Sequence, residues 1–326
     1  AQQLLFDFGQ AYHGWSSAEA AADQARSSER ATLLAVLQDV RAAYFDAQAK
    51  KAIVRVQRET LANQEKHRDQ IEQSVEVGIR PTIDLAQART DYANAQVALI
   101  NAESDYDAAR AKLNQVIGRE GSVDYDIGDD PMPPLSNEDA GTEALVADAL
   151  TARPEIAAQR ALVRAQEETV SRLRGTYWPS LNAAASLTDG GVQLDRLAWN
   201  WNAQLLLTWP LFAGGLNVGQ VEEAQAALAG YGAQIDAIRQ QVRLDVEQAR
   251  LGVRATKAAL GAADDALVNA ARRLELAEGR YSTGIGNGIE LGDAQVAHTA
   301  AAAQKVQAAY KLAAARATLL TALGHL

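Results

Sequence analysis

The chain has 326 residues, a formal net charge of −10 and no cysteine. That excludes a disulfide, a thiolate nucleophile and a zinc–thiolate site, and no basic run offers a nucleic acid an electrostatic footprint. Hydrophobic residues make up 48%, yet only 4 are Phe and 1 is Met, so alanine carries much of that share. Alanine is the best helix former, and this balance suits close-packed helices better than a bulky core. No apolar run approaches the ~18 residues that a membrane-spanning helix needs, and no signal peptide is visible in the residues given.

From Trp15 to Val77 there is neither Gly nor Pro, a run of 63 residues. As one helix it would span about 95 Å, against the usual 8–20 residues of a globular helix. Gly78 and Pro81 break it. A second run, Thr82 to Ile117, predicts a helix of about 54 Å. It ends at Gly118, Gly121 and an acidic, proline-rich stretch with Asp124, Asp126, Asp129, Asp130, Pro131, Pro133 and Pro134. A third helix is expected from Pro154, harmless as the first helical residue, to Gly175, or about 34 Å. The two shorter helices together match the long one in height. The expected packing is therefore antiparallel, with residues 118–152 at the join.

Between Gly175 and Gly215 the period changes from 3.6 to 2. From Trp199 to Trp209 one face reads Trp199, Trp201, Ala203, Leu205, Leu207, Trp209. The other reads Asn200, Asn202, Gln204, Leu206, Thr208. Such alternation marks a strand with one apolar face. Ten residues tilted near 45° cover roughly 23 Å, the height of the apolar band of an outer-membrane barrel with its aromatic girdles. Tyr177 to Leu187 is the expected partner strand, and Asp189-Gly190-Gly191 through Arg196 the loop between them. A helix from about Val221 to Ser282 follows, tolerating Gly230, Gly232, Gly252 and Gly261 with possible kinks. A turn at Gly284-Ile285-Gly286-Asn287-Gly288 leads to a return helix from about Ile289 to Leu323.

The chain also repeats itself. At a shift of 206 residues Leu5-Phe6 falls on Leu211-Phe212, Gly9 on Gly215, Asp39-Val40 on Asp245-Val246 and Gly78-Ile79 on Gly284-Ile285. Asp84 falls on Glu290, Ala88 on Ala294, Ala108-Ala109-Arg110-Ala111 on Ala314-Ala315-Arg316-Ala317, Leu113 on Leu319 and Gly118 on Gly324. One gapless offset over this span is a duplication.

Several motifs carry a family resemblance: Trp209-Pro210-Leu211-Phe212-Ala213-Gly214-Gly215 after a strand, Arg153-Pro154-Glu155 opening a helix, and Trp178-Pro179-Ser180-Leu181 entering a strand. Arg280-Tyr281-Ser282-Thr283-Gly284 before a helix tip and the final Ala-rich helix ending Leu323-Gly324 complete the set. In this order, spacing and duplication the chain resembles the TolC-like outer-membrane efflux proteins. The resemblance implies a mainly α fold with a transmembrane β-barrel portion, in which long antiparallel helices form a coiled-coil tunnel. Three subunits would each give four strands to a twelve-stranded barrel. Repeat 1 is read over 1–118, an equatorial region over 119–152, and repeat 2 over 153–326 with barrel strands at about 177–212. The implied setting is the outer membrane of a Gram-negative bacterium, with a large periplasmic portion. The implied partners are two further copies, outer-membrane lipid, a periplasmic adaptor and an inner-membrane transporter; no nucleic acid, cofactor, metal or enzymatic activity is expected. A soluble periplasmic coiled-coil adaptor or structural protein is the alternative, against which the Trp-bounded strand argues. The resemblance also implies a helix and strand ahead of repeat 1, yet residue 1 already maps onto Leu207. That segment either lies outside this numbering or is deleted, and deletion would leave an edge that is costly in lipid.

The helix tips are the expected site. Asp84, Glu290 and Asp293 fall in the first turns of the return helices, where acids complement the helix dipole. Three-fold symmetry would also gather them at a pore mouth, where carboxylate rings select cations. The resemblance makes Asp84, Glu290, Asp293 and Tyr281 constriction residues. It makes Val77, Gly78, Ile79, Arg80, Thr283, Gly284 and Ile285 adaptor-contact tips. Some family members latch the pore with a Tyr, an Arg and an Asp; Tyr281 and Asp84 match, the Arg position reads Gly286, and Arg80 stands at its equivalent in repeat 1. Trp199, Trp201 and Trp209 are expected to face lipid. The aspartates of the 124–130 stretch lack the spacing of a calcium loop and read as a solvated loop. His13, His67, His298 and His325 are too scattered to form one site.

Overall fold

The computed structural model describes residues 1–121, 125–129, 132–136, 138–190, 198–283 and 285–325. Along the chain come β1 (Gln2–Phe6), α1 (Gln10–Glu76), α2 (Thr82–Val116), α3 (Thr142–Ala152) and α4 (Pro154–Gly175). They are followed by β2 (Ser180–Gly190), β3 (Ala198–Thr208), α5 (Leu216–Ser282) and α6 (Gly288–Ala322). The bounds of α5 and α6 are those of α1 and α2 moved by the 206-residue offset, so the duplication is one of structure. Each long helix has 67 residues, about 100 Å of rise, and each return helix has 35.

The backbone repeats too. Gly9 and Gly215 adopt φ of 87° and 84°, and Gly118 and Gly324 adopt 69° and 80°. Ile79 and Arg80 donate to the Ser74 carbonyl as Ile285 and Gly286 donate to that of Arg280. Gly9 and Gly215 lie just ahead of α1 and α5, whereas Gly78, at φ 76°, and Gly118 give αL endings that close a helix by satisfying its last carbonyls. The glycines inside α5 leave it unbroken. Their cost of about 1 kcal/mol each is met by burial elsewhere along the helix: Val242, Val246 and Val253 are all but inaccessible.

The chain forms two compact units, residues 1–32 with 150–243, and residues 33–149 with 244–326. Each draws on both repeats. In the first, α4 packs antiparallel to α1, through His13–Glu168, Ser17–Ala165 and Asp23–Arg164. On its other side α4 meets α5, where Gln159 and Gln166 donate to the carbonyls of Tyr231 and Ala224. The strands form one antiparallel sheet in the order β1-β2-β3.

In the second unit α2 runs antiparallel to α1, as the pairs Lys50–Asp105, Arg58–Glu103 and Glu72–Arg89 record. The α2 residues Ala88, Ala95, Ala102 and Ala109 are buried at a strict seven-residue spacing. So are Ala294, Ala301 and Ala308 of α6, three of the positions the offset assigns. A seven-residue repeat makes helices supercoil left-handedly, and alanine lets their backbones approach closely. α3 lies within the join between α2 and α4. Arg153 alone separates it from α4, held extended (φ −68°, ψ 124°) because the following proline disfavours α geometry. Leu145, Val146 and Ala149 bury its apolar side.

Candidate functional site

β2 and β3 pair in register from Ser180↔Thr208 to Gly190↔Ala198. Cross-strand partners share a face. Leu181, Ala183, Ala185 and Leu187 therefore join Leu207, Leu205, Ala203 and Trp201, with Asp189 opposite Trp199 at the far end, while Asn182, Ser186 and Thr188 join Leu206, Asn202 and Asn200. The partner strand, poorly patterned when read alone, is thus amphipathic in this register. β1 adds Phe6 beside Leu181 across a bulge between Leu4 and Phe6. The apolar face is bare: Trp199, Trp201 and Leu205 are 71%, 66% and 71% exposed. Water-soluble sheets bury such a face.

At the helix end of the sheet the aromatics gather. Phe8 stacks on Trp178 with ring centroids 5.3 Å apart, and Phe6 meets Phe8 edge-on at 4.8 Å. Phe8 holds φ at 53° where repeat 2 has Gly214 at 61°. The left-handed region costs a non-glycine residue about 1–2 kcal/mol, comparable with what an aromatic pair returns, about 0.5–1.5 kcal/mol. Trp209, just beyond β3 and 54% exposed, donates its indole N–H to the Tyr177 carbonyl at 3.1 Å.

At the tips of the second unit, Arg80, Asp84 and Tyr281 come together although they belong to different repeats. The Arg80 guanidinium sits 3.9 Å from the Tyr281 ring centre, and its Nη1 lies 3.3 Å from the Asp84 carboxylate. The Tyr281 ring also packs against Ala277, Leu291 and Ala294, with His67 at 5.5 Å. Burial, and to a lesser degree Asp84, push the Tyr281 hydroxyl up, with Arg80 opposing. Burial, then Arg80, push His67 down. Gly286 is where the family latch would carry its arginine. A Cβ there would meet the Tyr281 nitrogen at 3.0 Å and the Arg280 carbonyl carbon at 3.1 Å. The turn thus has little room for a side chain at 286, and the cation that lies over the Tyr281 ring is Arg80 of repeat 1.

The acids differ among themselves. Glu290 pairs with Arg280 at 3.2 Å, and its N–H is capped by Asn287. Asp84 has Arg80. Asp293 is exposed, has no ion pair among the described residues, and lines a groove of about 720 Å³ with Asp91, Gly288, Gly292 and Val296. Val77, Ile79, Thr283 and Ile285 stand exposed around the turns, and Gly78 holds φ at 76°; Gly284 lies outside the described residues.

In the equatorial stretch the described aspartates are exposed, as expected, and are paired with basic residues of α1. Lys51 pairs with Asp126 at 2.8 Å and Arg55 with Asp129 at 3.3 Å. Tyr106 also donates to Asp126, and Lys51 with Tyr106 hold that carboxyl at about 2. Asp124 and Asp130 lie outside the described residues. On the other side Arg316 grips Glu138 through two bonds of 2.7 and 3.0 Å, and Lys257 adds a third at 3.2 Å. Arg316, chiefly, holds Glu138 at about 2. Lys257 and Arg316 are the duplicates of Lys51 and Arg110, and both arginines also donate to equatorial carbonyls, those of Met132 and Tyr125. The four cations were legible at the 206-residue offset; their purpose was not. The histidines stay apart, His13 on Glu168, His325 on Asp148, His67 at the tip and His298 in another groove.

The family model described as outer membrane efflux protein matches residues 1–119 and 145–325, both repeats and the sheet. The chain belongs to the outer membrane efflux protein family. It is similar to the outer membrane efflux protein BepC of Brucella suis, 24% identical over 99% of this chain and 71% of that protein. The toluene efflux pump outer membrane protein TtgF of Pseudomonas putida is 27% identical over 61% of this chain, but the match spans only 42% of TtgF. Among solved structures, CusC superimposes with a TM-score of 0.85 at 18% identity, covering all of this chain and 76% of CusC. VceC of Vibrio cholerae gives 0.84 at 18% identity over 99% of this chain and 78% of VceC. Within the family fold, the bare sheet face and the tips are this chain's two candidate working surfaces.

Proposed function

We propose that this chain is the exit duct of a tripartite efflux or type I secretion system, carrying substrates from the periplasm or an inner-membrane pump to the exterior. The observation that carries the reading is the apolar face of β2 and β3 from Leu181 and Leu207 to Leu187 and Trp201, largely uncovered in a chain whose family match spans both repeats. Three copies would close their sheets into one barrel, which satisfies edge hydrogen bonds that lipid cannot. Trp199, Trp201 and Trp209 would then face lipid. The named relatives, an outer membrane efflux protein and a toluene efflux pump component, support the transport class.

The tips would form the constriction and the adaptor contact. Asp293, Asp84 and Glu290 would ring the mouth, the last two partly neutralised by Arg80 and Arg280. Arg80 on Tyr281 ties repeat 1 to repeat 2, and widening the mouth would part them. Exposed Val77, Ile79 and Ile285 offer an adaptor apolar contact. The test is mass measurement in mild detergent together with planar-bilayer recording. A trimer with cation-selective conductance is expected; a monomer that stays in solution without detergent and never conducts would refute the duct.

A further inference from the structure

In the first compact unit, α1 and α4 enclose a groove of about 380 Å³ whose polar lining is Asp23, Arg26, Ser27, Arg30, Arg160 and Arg164. Each helix contributes two arginines four residues apart, hence on one face. Antiparallel packing turns both faces to the same space. Asp23 is the one lining carboxylate, 3.0 Å from Arg26 and 3.7 Å from Arg164. Arg30 and Arg160 have no carboxylate partner among the described residues. Four cations thus face one anion, on a chain whose net charge is −10. Like charges four residues apart on a helix repel weakly, and a bound anion would relieve that repulsion.

The duplication supplies an internal control. At the 206-residue offset, Asp23, Arg26, Ser27 and Arg30 become Ala229, Gly232, Ala233 and Asp236. The residues that hold the helices together, by contrast, are kept: the alanine seam, Lys51 with Lys257, and Arg110 with Arg316. The helical scaffold therefore does not require these arginines. Arg164 and Ala157 precede Gly175, the end of α4, by 11 and 18 residues. The groove accordingly lies about 17–27 Å along that helix from its sheet end. A headgroup layer adds only about 5–8 Å to each side of a bilayer's hydrocarbon core, so the phosphate of a bilayer lipid falls short.

We propose that this groove binds a soluble multivalent anion of the phosphate or sulfate class. Guanidinium forks bind such oxygens in pairs, and the Ser27 hydroxyl adds a neutral donor. The exclusion of lipid rests on the sheet being membrane-embedded; the binding itself does not, so the two readings fail separately. The experiment is calorimetric titration of the full-length protein, in non-ionic detergent at low salt, with inorganic pyrophosphate. One saturable site per chain is expected, weakening as salt rises. Arg30→Gln with Arg160→Gln should weaken it about tenfold, and Asp23→Asn, which removes the competing carboxylate, should tighten it several-fold. A gain of that kind cannot come from unfolding. Repeating the titration in nanodiscs of phosphatidylcholine with and without phosphatidylglycerol should give the same affinity; loss of pyrophosphate binding only with phosphatidylglycerol would assign the groove to lipid instead. No pyrophosphate binding by the wild type, or equal binding by the double variant, overturns the proposal.

Discussion

Arg316→Met tests how the equatorial stretch is held, and Arg110→Met, its duplicate, is the control. Glu138 is 4% exposed and Arg316 11%, joined by two bonds of 2.7 and 3.0 Å. Removing one member of a buried ion pair costs about 3–5 kcal/mol when the other is left alone. Glu138 would keep Lys257, itself 47% exposed, and the Leu135 N–H at 3.2 Å, so about 2–3 kcal/mol is expected here. Arg110 instead pairs with an Asp107 that is 66% exposed and donates to the Tyr125 carbonyl, so its loss should cost about 1 kcal/mol. Hydrogen exchange reads the difference directly. Amides at 135 and 138 should lose protection about 30- to 150-fold in Arg316→Met, and those around 125–127 only about fivefold in Arg110→Met. Equal losses at the two sites, or unchanged protection at 135, would refute the view that burial of the ion pair distinguishes the two halves of this clamp.

The same site has a pH dependence. The Glu138 carboxyl is held at about 2, below its ordinary 4.5. Its contribution is therefore complete above pH 4.5 and lost as pH falls from there toward 2. Amide protection at 135 and 138 should drop over that window while a Glu138→Gln variant, already weakened, stays flat. Brominated lipid should quench Trp199, Trp201 and Trp209 strongly; full iodide quenching without a lipid effect would remove the sheet from the membrane. Arg80→Gln should weaken tip closure by about 1–2 kcal/mol, through the lost ring contact and ion pair. It should appear as more frequent openings in bilayer recordings, and an unchanged open fraction would mean the contact does not gate. Glu290→Ala with Asp293→Ala should lower cation selectivity without changing assembly; wild-type selectivity would leave both as helix-dipole acids.

Much of this architecture follows from local sequence. Unbroken runs free of Gly and Pro, turn glycines at Gly9, Gly78 and Gly118, and the alternation of Trp199 to Trp209 act over a few residues, and a gapless offset copies them. The β2 face was hidden because its middle is a run of three alanines, Ala183 to Ala185, with little contrast between sides; only pairing with β3 sets which side each presents. The 142–152 helix was obscured by a proline that stops a helix and starts the next at the same residue. The tip shows the limit best. Tyr281, Asp84 and Arg80 were each legible, and Gly286 read as a missing latch residue. The structure adds that the backbone of Arg280 and Tyr281 leaves little room at 286, and that the turn between α1 and α2 brings Arg80 within 3.9 Å of the Tyr281 ring centre. Helix ends, turns and strand alternation are properties of neighbouring residues and were therefore written in the sequence. Which cation meets which anion across two repeats depends on distances between segments some 200 residues apart along the chain, and only the folded arrangement sets those.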